Sequence, residues 1–193
     1  LVLPHPRVRL GASQTKHKIE VVSMSASKAA ARSGNEPKRL VVLASGSGSN
    51  LLAILKVCQD PTYGAKVVAV GADKTCKALD YAAQYKVPSF VVPLKDYTSR
   101  ASWDQALTDA VAKYQPDLVV CAGFMKLVGE SFLAEFGGKT INTHTALLPK
   151  YPGAHAVRDA LADGATVSGA TLFWVDAGVD TGKIIAQVQV PVK

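Results

Sequence analysis

A chain of 193 residues, 48% of them hydrophobic and 19% charged, has room for one well-buried domain, and none of its apolar runs approaches the roughly 18 residues of a membrane span. The formal charge of +7 sits at one end: residues 1–39 hold eight Lys or Arg against two Glu, the remainder 14 against 13. A nearly neutral body offers no basic face to a phosphate backbone, so nucleic acid and membrane are both set aside as partners of the folded part.

Residues 1–38 are rich in Arg, Lys, Ser and Ala and poor in acid, and they lack the apolar centre of a secretory signal. They are expected to be an organellar transit segment, chloroplast first and mitochondrion as the alternative, against the competing reading of a basic tail with no address. The chain opens on Leu1, so Met24 is a further candidate start, and His5 and His17 fall in this leader and carry no argument.

Residues 39–193 then alternate short β-branched runs with helical stretches. "RLVVLAS" reads as a buried strand and "NLLAILKVCQD" as a helix, with Leu51, Leu52, Ile54, Leu55 and Cys58 at helical spacing. "KVVAVGAD" gives a second strand, "CKALDYAAQYK" a second helix and "SFVVPL" a third strand. A helix opened by Thr98 or Ser99 closes before Pro116, and "DLVVCAGF" is a fourth strand. "MKLVGESFLAEFGG" predicts a helix ending at Gly137 and Gly138, followed by the strand "KTINTH" and a short helix over 157–161. "SGATLFWVDAG" and "KIIAQVQVPV" finish the chain as two strands with no helix between them. The expectation is a three-layer, Rossmann-like α/β fold, its sheet mostly parallel with an antiparallel C-terminal pair. In such a sheet the loops after "LAS", "CAG" and "INTH" converge at the carboxyl ends of the strands, where ligands bind.

Several motifs point to that end. "GSGSN" lies between a strand and a helix, where free amides favour an anion. It is no Walker loop, and Leu51 stands where a dinucleotide fingerprint needs its third glycine, so a compact phosphomonoester on the amides of Gly48, Ser49 and Asn50 fits better. A merely tight turn is the bland alternative. Asn142 and His144, two apart in a strand, share one face, and Asp176 and Asp180 occupy a glycine-containing turn able to reach it. An amide to hold an oxyanion, an imidazole to move protons and a carboxylate to orient it form a coherent set that needs no Ser or Cys nucleophile. No cluster stands at metal spacing, and Cys58, Cys76 and Cys121 read as small buried hydrophobes. Gly123 and Phe124, followed by Met125 and Leu127, suit either a slot for a flat aromatic ligand or ordinary helix-entry packing. His155 is read as a substrate contact or a helix cap.

Taken in order, "VVLASGSGSNLLAIL", "CAGFMKLVGESFL", "INTHTALLPKYPGAH" and "GATLFWVDAGVDTGKIIAQVQVPV" resemble the phosphoribosylglycinamide formyltransferase family, over residues 39–192. The resemblance implies the formyltransferase fold and transfer of a formyl group from 10-formyltetrahydrofolate, as co-substrate and without a metal, to the amine of glycinamide ribonucleotide. It implies that Asn142 stabilises the oxyanion, that His144 is the general acid, and that Asp180 holds His144 and orders a bridging water. By the same resemblance Gly48, Ser49 and Asn50 bind the ribose phosphate, while Arg100, Met125, Lys126, Leu127, Val128 and Asn142 serve the folate. Two departures stand out: His144-Thr145-Ala146 replaces the family's His-Pro-Ser, and Lys126 stands where Arg is frequent, losing the planar fork. Family members also continue past the "QVQVPV" strand into a C-terminal helix, so this domain is expected to be truncated there. Rival expectations are a formyltetrahydrofolate deformylase, a methionyl-tRNA formyltransferase, which reads "RWRGAAP" in place of "KYPGAHA", and a non-catalytic folate- or nucleotide-binding fragment.

Overall fold

The computed structural model describes residues 36–192, so all but the last three residues of the 1–38 leader, and with them its assignment, lie outside what is described. Seven strands form one sheet: β1 (Lys38–Ala44), β2 (Ala65–Ala72), β3 (Ser89–Val91), β4 (Leu118–Cys121), β5 (Thr140–His144), β6 (Val167–Trp174) and β7 (Ile184–Pro191). Their order is β3-β2-β1-β4-β5-β6-β7. The first five are parallel, β6 runs antiparallel to β5, and β7 antiparallel to β6, as the alternating pattern and the helix-free tail predict.

Among the described residues five α-helices accompany the sheet: α1 (Ser49–Val57), α2 (Lys77–Gln84), α3 (Arg100–Ala112), α4 (Glu130–Phe136) and α5 (Ala156–Ala162). The period-two geometry of β1 explains the layers. Val41 and Leu43 point into a core with Trp103, Leu107 and Val111 of α3 and Phe132 and Phe136 of α4, while Val42 and Ala44 point the other way, onto Leu51 and Leu55 of α1 and Ala78 and Ala82 of α2. A strand buried on both faces must be apolar throughout, which is why "LVVLA" shows no alternation. Ser99 caps α3 in a reciprocal capping box with Ser102, deciding between the two predicted caps.

One predicted element is shorter than expected. The helix read over 125–138 is formed only from Glu130, and residues 125–129 are irregular. Their backbone groups are satisfied by other elements: Met125 N–H donates to Ser45 Oγ at 2.8 Å, and Gly129 N–H to Asp104 Oδ1 at 2.5 Å. With those amides already engaged, the apolar spacing of Met125 and Val128 does not propagate a helix. The strand order reverses between β1 and β4, on either side of which the chain leaves in opposite directions, opening a crevice at their carboxyl ends.

Candidate active site

Four segments meet over that crevice. The first is the turn after β1, where Gly48 caps α1 in a left-handed conformation, φ 73°. A Cβ at this position would stand 2.8 Å from the backbone Cα of Ala78, so close packing against α2 as well as φ demands glycine. Leu52 N–H bonds back to the Gly48 carbonyl, and the first-turn amides of Ser49, Asn50 and Leu51 have no hydrogen-bond partner among the described residues. Gly48, Ser49 and Asn50 line a cavity of about 180 Å3 together with Ser45, Gly123 and Met125.

A second cavity of about 310 Å3 adjoins it, with Asn50, Gly123 and Met125 common to both. Its walls include Asn142, His144 and Asp180 together with Met125, Lys126, Leu127 and Val128. Met125 and Leu127 are 64% and 51% exposed, so two apolar side chains project from this wall. The 125–128 segment is fastened on three sides: by Ser45, by an ion pair of Lys126 Nζ with Asp73 Oδ2 at 3.6 Å, and by the Arg100 guanidinium, which donates to the Leu127 carbonyl. Arg100 also lies over the Trp103 ring at 4.8 Å, so it reaches the back of the segment and is not among the residues lining the cavity.

His144 ends β5 and is 7% exposed. Its Nδ1 lies 3.4 Å from Asp180 Oδ2 and its Nε2 2.7 Å from the carbonyl oxygen of Tyr151. A carbonyl only accepts, so Nε2 carries a proton; in the charged ring both nitrogens donate, and here both face acceptors. Asp180, in a left-handed backbone conformation at φ 55°, also accepts the Gly153 N–H at 2.7 Å. The turn that carries it is braced by Asp176, whose Oδ1 accepts from Gly178 N–H and Thr181 Oγ. Asp176 is thus a structural partner, and Asp180 the one that meets the histidine. The carboxamide of Asn142 lines the same cavity and makes no hydrogen bond among the described residues.

The loop after β5 owes its place to the antiparallel tail. Thr171 of β6 donates to the Ala146 carbonyl and accepts from Leu148 N–H, and Gln187 of β7 donates to both Thr171 and the Leu148 carbonyl. Ala146 and Leu148 are buried, and Tyr151 and Gly153 follow with φ of 54° and 91°. His155 occupies the N-cap position of α5 with no side-chain capping bond and is exposed. Sequence reasoning missed Tyr151 and Gly153 because they act through backbone atoms that every residue possesses. It also missed Ser45, although its place at the end of a strand facing "CAG" was a usable signal.

Cys121 lines the cavity, and burial pushes its thiol up to about 12, so it is a packed hydrophobe and not a thiolate nucleophile. A larger cavity, about 740 Å3, lies against Leu40, Leu118, Ile141 and Leu172 and has no His, Cys, Ser or Glu in its wall. Lys38, Tyr63, Asp117 and Lys139 also face it, but the His144–Asp180 pair and the Asn142 carboxamide lie in the smaller cavity.

A family model described as formyl transferase matches residues 38–193. The phosphoribosylglycinamide formyltransferase of Mycobacterium tuberculosis (strain CDC 1551 / Oshkosh) is 56% identical over 156 residues, covering 81% of this chain and 72% of that protein. The enzyme of the same name from Bacillus subtilis (strain 168) is 38% identical over 151 residues, 78% of this chain and 77% of the relative. Among solved structures, glycinamide ribonucleotide transformylase 1 from Symbiobacterium toebii superposes with a TM-score of 0.80 at 38% identity, covering 88% of this chain and 80% of that one.

Proposed function

The chain belongs to the formyl transferase family, and from that premise we propose that it transfers the formyl group of 10-formyltetrahydrofolate to the amine of glycinamide ribonucleotide. The observation that carries the reading is the pair of adjoining cavities: the anion-binding turn lines one, and Asn142, His144 and Asp180 line the other together with Met125, Lys126, Leu127 and Val128.

In this reading the ribose phosphate takes the free amides of Ser49 and Asn50 at the positive end of α1. The flat ring of the folate lies on the exposed faces of Met125 and Leu127. The substrate amine attacks the formyl carbon, and the developing oxyanion is met by the Asn142 carboxamide and the His144 imidazole. His144 exchanges its Tyr151 carbonyl partner for the oxyanion and supplies the proton there. Asp180, anchored by Gly153 N–H, holds the ring in place during the exchange. When the tetrahedral intermediate collapses, the C–N bond to the folate breaks, the proton lost by the attacking amine ends on the folate nitrogen, and the proton lent to the oxyanion returns to His144 as the formyl C=O re-forms, so the enzyme is left unmodified. Positioning two substrates in adjoining cavities supplies much of the rate. The basic leader of residues 1–38 is assigned to organellar targeting on composition alone, and N-terminal sequencing of the mature protein tests it: an intact leader rejects that role.

Mass analysis of the products separates this reading from a hydrolase. Incubation with both substrates should yield formylated ribonucleotide and tetrahydrofolate in equal amounts. Free formate with an unchanged ribonucleotide would identify water as the acceptor.

A further inference from the structure

Arg100, Trp103 and Asp104 stand at i, i+3 and i+4 of α3 and therefore share one face of the helix. All three grip residues 124–132. The buried Trp103 stacks on Phe124 with ring centroids 6.5 Å apart and planes 12° from parallel, and its Nε1–H donates to the Val92 carbonyl at 2.9 Å. Arg100 donates to the Leu127 carbonyl. Asp104, only 2% exposed and with no salt-bridge partner among the described residues, accepts Gly129 N–H on Oδ1 at 2.5 Å and Phe132 N–H on Oδ2 at 3.1 Å.

A carboxylate buried this deeply is costly unless its oxygens are hydrogen-bonded. Here they take the amides of the N-cap residue, Gly129, and of Phe132 in the first turn of α4, at the positive end of its dipole. The N-cap residue of α4, Gly129, has no side chain to do this, so the cap is supplied from a different helix. Glycine is demanded at 129 by that approach: a Cβ would stand 2.8 Å from Asp104 Cγ and Oδ2.

We propose that Asp104 is a positioning residue for binding of the formyl donor. By fixing where α4 starts, it sets the height of the 125–128 segment whose Met125 and Leu127 side chains form one wall of the larger active-site cavity. Asp104 does not itself line that cavity. The inference rests on the assignment of that wall to the folate.

The test is titration calorimetry with 10-formylfolate and, separately, glycinamide ribonucleotide, on the wild type and on Asp104→Ala, Asp104→Asn, Gly129→Ala and Val111→Ala. Val111 is a buried residue of the same helix and reports the effect of lost stability alone. Asp104→Ala and Gly129→Ala should weaken 10-formylfolate by at least about fivefold while ribonucleotide affinity stays within about twofold. Asp104→Asn keeps one acceptor and should fall between them and the wild type. Val111→Ala should lower the melting temperature without a selective loss of folate. A smaller folate shift, equal loss of both ligands, or the same selective loss in Val111→Ala overturns the positioning role. A wild type that binds the ribonucleotide and no folate is a distinct result, which overturns the functional reading and this inference with it.

Discussion

At the scale of single residues, the site depends on a histidine held between two acceptors and on a carboxylate held at φ 55° by a backbone amide. His144→Ala removes the proton donor and Asp180→Ala the group that orients it, so each should lower kcat by about 10²- to 10⁴-fold while 10-formylfolate affinity changes little; rapid-mixing kinetics alongside binding isotherms check the split. Cys121 makes a different forecast. Its thiol is pushed up to about 12 by burial from an ordinary 9.0, so the unfolded chain ionises first as pH rises. The stability it contributes is complete below pH 9 and declines, by on the order of 1 kcal/mol per unit, as pH rises from 9 towards 12. Urea unfolding of the wild type and Cys121→Ala at pH 8 and pH 10.5 should show the wild type losing more stability over that interval; equal losses would contradict the assignment. The native thiol should also resist iodoacetamide at pH 8.

Among elements, the strands and the helices α1, α2 and α3 were legible because apolar spacing alone separates the two cores: Val41 and Leu43 to one, Val42 and Ala44 to the other. The antiparallel pair β6 and β7 was legible from the absence of a helix between them. The 125–129 segment was not, because what stops the helix there is Ser45 and Asp104, far away in sequence and adjacent only after folding. The partners of His144 were half legible: the glycine-containing turn offered Asp176 and Asp180 alike and only the family resemblance singled out Asp180, while Tyr151 was not legible at all, since its carbonyl is the group used. The glycine turn before α1 was read correctly as a place for glycine, but the reason at 48 includes α2. Gly48→Ala forces a side chain into φ 73° and against Ala78. It should weaken ribonucleotide binding by about tenfold or more and leave 10-formylfolate nearly unaffected, and parallel titrations with the two ligands would show whether the loss is selective.

On the scale of the whole molecule, one topological fact organises the rest. Reversal of strand order between β1 and β4 brings the turn after β1, the segment after β4 and the loop after β5 to one end of the sheet, while the turn after β6 leaves beside Ile141, at the other end of β5, and folds back to put Asp180 beside His144. The antiparallel tail then serves two purposes: Thr171 and Gln187 pin the loop that carries Tyr151, and the turn between the two strands delivers Asp180 to His144. An enzyme built this way should leave the folate intact until the amine arrives, since the oxyanion site and the nucleophile come from different cavities. The most direct measurement is therefore the rate of tetrahydrofolate release from 10-formyltetrahydrofolate with and without glycinamide ribonucleotide. Release should be close to background alone and rise by orders of magnitude when the ribonucleotide is added; equal rates in both conditions would contradict formyl transfer to that amine.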